Sequence, residues 1–353
     1  MKKLKKFLFH FPKIAGAITA AFCLLYYTES TQNGVRDGLT LLGSVVIPSL
    51  FPFLVLSSYL CECPSFFILS KKLKTPVHKI FKTPSYSVLP IIMGLIGGYP
   101  TGAKTVASLH ASKKLSQKEA EHLLFWCVNP GPAFCINAVG SIMLKSTKAG
   151  IILYSSTVLS ATTIGLFMRI FKTETDGCRA SDVETAKQNT YPLITAVTDG
   201  CSAILNISAW ILLFSCFFGL LNEINIDKSS VLFIKSVLEV TAGSKACAGN
   251  TSLPLISALL GFGGICVFCQ ILPFLTACKM NLKNFICARV VNASLCGFYT
   301  SLLIKLFPRA NESASVIASP FGSLYFSYTV PVFCVLLMMC GIFILQLDNR
   351  KKI

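Results

Sequence analysis

Apolar runs recur along the chain, separated by short polar stretches in which lysine and arginine cluster. Runs of about 18 residues or more match the hydrocarbon thickness of a bilayer, so they predict membrane spans and not amphipathic helices of a soluble core. Spans are predicted at residues 14–27, 40–60, 123–144, 151–171, 193–221, 255–278, 285–307 and 324–347. Pro48 and Pro52 each remove a backbone donor and predict a kink in the second span. Asn129-Pro130-Gly131-Pro132 predicts a break in the third.

Two further segments are apolar enough to enter a membrane but cannot be unbroken helices. Residues 85–111 hold Gly94-Leu95-Ile96-Gly97-Gly98-Tyr99-Pro100-Thr101-Gly102-Ala103-Lys104 at their centre. Cations flank them on both sides: a basic loop with Lys71, Lys72, Lys74, Lys79 and Lys82 before, and Lys113, Lys114 and Lys118 after. A segment that starts and ends on the basic side and breaks midway reads as a re-entrant hairpin. Irregular backbone at membrane depth is tolerated only inside protein or against a cavity. Residues 231–250, with Glu239-Val240-Thr241-Ala242-Gly243-Ser244-Lys245, read the same way.

Composition and charge fix the class. The 353 residues are 53% hydrophobic and 13% charged, against about 25% charged for a soluble domain. The net charge of +17 would suit nucleic acid if the cations formed one surface. They instead follow the positive-inside rule: the predicted outer loops hold only Arg36, Lys145, Lys148, Lys228, Lys305 and Arg309. Both termini are then cytoplasmic, and the first span is an uncleaved anchor. The 16 cysteines are scattered through apolar runs and read as small packing residues, with no disulfide framework or metal site. The expected fold is an all-α polytopic membrane protein of about eight transmembrane helices plus two re-entrant hairpins.

The order of breaks repeats. Span, hairpin, broken span and span occur in the first half, and again in the second with Gly261-Phe262-Gly263-Gly264 as the break. The first set enters from outside and the second from the cytoplasm, which makes an inverted-topology repeat. The domains are residues 1–34, a basic segment and first span; 35–172, the first repeat; 173–192, a cytoplasmic linker; 193–307, the inverted second repeat; and 308–353, an outer loop, last span and basic C-terminus.

Inverted repeats with paired breaks place a substrate site where the breaks meet near the midplane. Half-helix N-termini favour anions there. The expected substrate-binding residues are Thr101, Gly102, Lys104, Asn129, Gly243, Ser244, Lys245 and Gln270, with Asp199 and Glu239 as coupling-ion ligands. Two lysines converging on one site would suit a dicarboxylate. Each has a plainer alternative: Lys104 snorkels to the surface, Lys245 pairs with Glu239, Asn129 and Gln270 satisfy freed backbone groups, and Asp199 is an N-terminal helix charge. Arg289 is read as orienting its helix at the cytoplasmic face.

Three motifs carry a resemblance: Pro48-Ser49-Leu50-Phe51-Pro52-Phe53, Gly98-Tyr99-Pro100-Thr101-Gly102-Ala103-Lys104, and Asn129-Pro130-Gly131-Pro132-Ala133-Phe134 with Gly140. Together with Glu239–Gly243 and Gly261–Gln270 they resemble the YlbJ family of sporulation integral membrane proteins, over about residues 35–345. The resemblance implies a "nucleoside recognition" or Gate domain in each repeat and a role in endospore formation. It further implies export of dipicolinic acid, a planar dicarboxylate, from the mother cell across the outer forespore membrane. Cys266 and Cys269 depart from the Ser and more polar residue expected at those positions.

The expected function is therefore transport of a small organic anion, with a nucleoside or other metabolite carrier and a spore-envelope scaffold as alternatives. An enzyme is disfavoured, because His10, His78, His110 and His122 form no His-Glu-x-x-His pair and no catalytic residue is assigned. No cofactor or metal is expected. The expected partners are the anionic substrate and membrane lipids, not nucleic acid, and a homo-oligomer is compatible with the sequence.

Overall fold

The computed structural model describes residues 14–16, 18–62, 64–170, 192–221, 228–248 and 251–307. Among these the chain is helical with short connections and no strand. Five helices are long and apolar enough to cross a membrane: Thr28–Tyr59, Thr147–Ile170, Pro192–Leu221, Leu253–Ala277 and Leu282–Leu306. The chain is thus an all-helical, multi-pass membrane protein. The predicted linker and the last predicted span lie outside the described residues.

After the short apolar helix α1 (Ile14–Tyr26), the polar stretch that follows is already helical. Helix α2 (Thr28–Leu41) runs through a five-residue π turn (Leu42–Val46) into α3 (Ile47–Glu62). The turn lies directly before Pro48, where the regular ladder first loses a donor, in keeping with π turns as the way a helix absorbs such a loss. Helix α2 earns its packing through Gly34 and Gly38, spaced as Gly-x-x-x-Gly. A methyl group at Gly34 would strike the backbone of Ser215 and Gly219 on α9 (Pro192–Leu221). Small residues at this spacing let two membrane helices touch backbone to backbone.

The basic stretch expected as a loop is helix α4 (Pro64–Phe81). Proline at its first position suits a helix start, and no glycine interrupts the lysines that follow. Helices α5 (Val88–Ile96) and α6 (Tyr99–Ala111) flank a break at Gly97–Gly98, and Gly98 has φ +88°, a backbone open only to glycine without strain. The two helices fold back on one another: Gly94 and Gly102 press against each other and both meet the Cys127 carbonyl. Helix α7 (Gln117–Leu124) starts with a capping box, in which Ser116 and Glu119 each satisfy the other's backbone N–H.

The expected break at Asn129–Pro132 is an unwound stretch between α7 and a π helix, Ala133–Met143. Helix α8 (Thr147–Ile170) then turns back onto it, Gly140 against Gly150. In the second half, α10 (Lys228–Leu238) and α11 (Val240–Cys247) fold back about Glu239, with Gly243 packed on Ser236. Helices α12 (Leu253–Phe262) and α13 (Gly264–Ala277) are separated by Gly263 at φ +92°. Helix α14 (Leu282–Leu306) packs on α12 and α8. Hydrogen bonds tie α14 to α8: Ser160 to Asn292 at 2.7 Å and Thr300 to Ser156 at 2.7 Å.

Candidate functional site

The two folded-back pairs share a register. Gly98 caps α6 and Glu239 caps α11. Counting from each cap, the fourth residue is glycine (Gly102, Gly243) and the sixth is lysine (Lys104, Lys245). The two glycines have the same duty: the Gly102 N–H donates to Gly98 and the Gly243 N–H to Glu239, while each lets its partner helix come close.

The breaks of both halves line one cavity, partly open to its surroundings. Its walls include Gly97–Pro100 at the start of α6, Gly131, Ala133 and Phe134 at the start of the π helix, Glu239–Thr241 at the start of α11, and Gln270 on α13. Leu50, Leu54, Ile207 and Ile211 from α3 and α9 close the apolar side. Three helix N-termini therefore face one space. That of α11 is capped from within: the Glu239 carboxylate accepts from Thr241 N–H at 2.8 Å and from Ala242 N–H at 2.5 Å. Those of α6 and the π helix carry no side-chain cap.

Of the residues singled out in the sequence, Gln270 and Glu239 line this cavity. Thr101 donates to the Gly97 carbonyl across the break at 3.1 Å. Asn129 is fully buried; its amide donates to the Trp126 carbonyl at 2.5 Å and its Oδ1 has no hydrogen-bond partner. The Ser244 hydroxyl is likewise buried and unpartnered. Gly102 and Gly243 are packing contacts. Lys104 and Lys245 are both exposed and absent from the cavity wall. Lys104 lies 3.7 Å from Asp199 on α9, and no Lys245–Glu239 pair forms.

The sequence reading missed what holds the breaks together. Arg289 is 1% exposed and not at a surface. Its guanidinium donates to the carbonyls of Val128, Gly261 and Phe262, so it bridges the unwound stretch of the first half and the α12 end of the second. Asn292 adds a donor to Gly261 at 2.9 Å. Tyr99, the first residue of α6, donates to the Leu260 carbonyl. A lone arginine inside an apolar run is a functional or structural signal by default, and that was the clue available. Among the described residues no group of His, Cys, Asp and Glu is placed to hold a metal.

Over 342 aligned residues the chain is 26% identical to the Sporulation integral membrane protein YlbJ of Bacillus subtilis (strain 168), covering 83% of this chain and 84% of that protein. No family model matches the chain, and no solved structure matches it.

Proposed function

We propose that this member of the YlbJ family of sporulation integral membrane proteins is not an enzyme but a secondary transporter of a small organic anion, with dipicolinate as its substrate. The observation that carries this function is the meeting of breaks from both halves of the chain around one cavity. In an inverted-repeat transporter of eight spans and two re-entrant hairpins, that is where substrate binds. The N-termini of α6 and the π helix carry no side-chain cap and present partial positive charge to substrate carboxylates. Gln270 and Thr241 add polar groups to the lining. Exposed Lys104 on α6 and Lys245 on α11 add positive charge.

In a sporulating cell the protein would sit in the outer forespore membrane with both termini in the mother-cell cytoplasm. The test is dipicolinate measured separately in mother cell and spore of a deletion strain. Accumulation in the mother cell with empty spores is expected; normal loading of the spore would refute the function.

A second function, carriage of an uncharged metabolite such as a nucleoside, is favoured by one observation: the charged side chain in the cavity wall is a carboxylate, Glu239, and not a lysine. Competition in reconstituted vesicles separates the two, since a nucleoside carrier would ignore dipicolinate.

A further inference from the structure

Glu239 poses a physical problem for any anion in this cavity. Its side chain is 1% exposed, lines the same space, and forms no ion pair. The two N–H groups that it accepts come from its own helix start. The Thr241 hydroxyl also faces the carboxylate, and its two oxygens still have acceptor capacity beyond these bonds.

The groups around it do not neutralise it. Tyr99 from α6 and Cys266 from α13 face it, and Gln270 donates to the Cys266 sulfur at 3.4 Å. Arg289 from α14 stands beyond Tyr99, with its guanidinium engaged by three carbonyls. Lys235 on α10 lies over the Phe218 ring, 5.8 Å from its centre. Cys135 on the π helix is buried, and Lys245 on α11 itself is exposed.

A substrate carboxylate and an ionised Glu239 about 5 Å apart, at an effective dielectric of about 20, would weaken binding on the order of a hundredfold. A proton on Glu239 removes that repulsion and adds an O–H donor aimed at the incoming anion. The anion and the proton then favour each other's binding by the same factor, as linkage requires.

Resting on the anion-transport function above, we propose that Glu239 is the coupling group: it takes up a proton from the side on which the anion enters, and anion and proton cross together. The single proton on Glu239 offsets one of the two substrate charges, so each crossing carries one net negative charge, and only the Glu239 O–H bond forms and breaks. The proton is held on a Glu239 carboxylate oxygen during the crossing and returns to water on the other side, where the carboxylate again accepts only from Thr241 and Ala242.

Purified full-length protein in liposomes holding a pH-sensitive dye tests this with dipicolinate. Inward dipicolinate movement should acidify the lumen, and Glu239→Gln should abolish that acidification and net uptake. The amide keeps one acceptor for the α11 N–H groups, and detergent melting close to the parent's certifies the fold. Net uptake by the parent without lumenal acidification overturns the coupling, whatever the variant does. Acidification that survives Glu239→Gln overturns the assignment to Glu239. Uptake that follows a sodium gradient and ignores a pH gradient overturns it in favour of a metal cation. A parent that exchanges no dipicolinate at all overturns the transport function first and this inference with it.

Discussion

The Arg289 guanidinium donates to the Val128 carbonyl, joining two positions 161 residues apart. The same side chain donates to Gly261 and Phe262, so one residue satisfies the carbonyls that both chain breaks leave open. Removing it strands buried acceptors, each costing about 1–3 kcal/mol. Arg289→Gln should therefore lose on the order of 3 kcal/mol and fall well below the parent in detergent melting. Arg289→Lys should recover little, since an ammonium has no planar fork to reach three carbonyls. A lysine variant as stable as the parent would show that charge alone suffices.

The packing of α2 on α9 depends on glycine. Gly34 and Gly38 face Ser215, and Gly219 faces Ser30. Gly34→Val should separate these helices and cost more than the about 1–3 kcal/mol of ordinary overpacking, because the obstacle is backbone. Cysteine pairs placed across the interface report it: cross-linking present in the parent background should vanish in Gly34→Val.

Much of the architecture was legible because membrane physics writes it in composition. The long apolar runs and the breaks at Gly263 and Asn129–Pro132 follow from hydropathy and from residues that cannot continue a helix. The hairpin breaks sit at Gly98 and Glu239, inside the motifs quoted for them and a few residues before Thr101 and Gly243. A turn requires a special backbone only at its cap, and the Thr-Gly-Ala-Lys and Ala-Gly-Ser-Lys tetrapeptides are already helix. Lysines read as converging on substrate are exposed, since a residue six positions past a cap need not face the way the cap faces. Arg289 was misplaced because charge near a predicted helix end does not reveal whether carbonyls elsewhere in the chain need a donor.

The exposed ion pair is a weak bond. Lys104 and Asp199 are 3.7 Å apart with side chains 58% and 43% exposed, and such pairs contribute about 0–1 kcal/mol. Lys104→Gln should leave melting nearly unchanged and lower dipicolinate transport only a few-fold. A direct hydrogen bond to substrate would instead give roughly a 10- to 150-fold loss. Transport rates of the reconstituted variant discriminate the two, and a loss in the larger range would place Lys104 against substrate.

Cys278 lies in the turn between α13 and α14, where burial pushes its thiol up to about 11, with a smaller contribution from Glu121. Only the thiolate alkylates readily, so the reactive fraction at pH 8 is on the order of one in a thousand. With Cys278 as the sole cysteine, maleimide labelling at pH 8 should be fast in unfolded protein and slow in native protein, where the thiol is buried. Rapid native labelling at pH 8 would mean that this turn opens.

The inverted repeat stands or falls on the side from which α5 and α6 enter. These helices have 9 and 13 residues, about 14 and 20 Å at 1.5 Å per residue. Each is too short to cross a hydrocarbon core of about 30 Å, and Gly94 against Gly102 shows them folded back on one another. Pro76 on α4 and Ser116 before α7 are both exposed and bracket this pair. In a cysteine-free background, Pro76→Cys and Ser116→Cys should therefore both label from the cytoplasmic face. Labelling from opposite faces would make residues 85–111 a crossing, change the orientation of every later span, and rule out the inverted repeat.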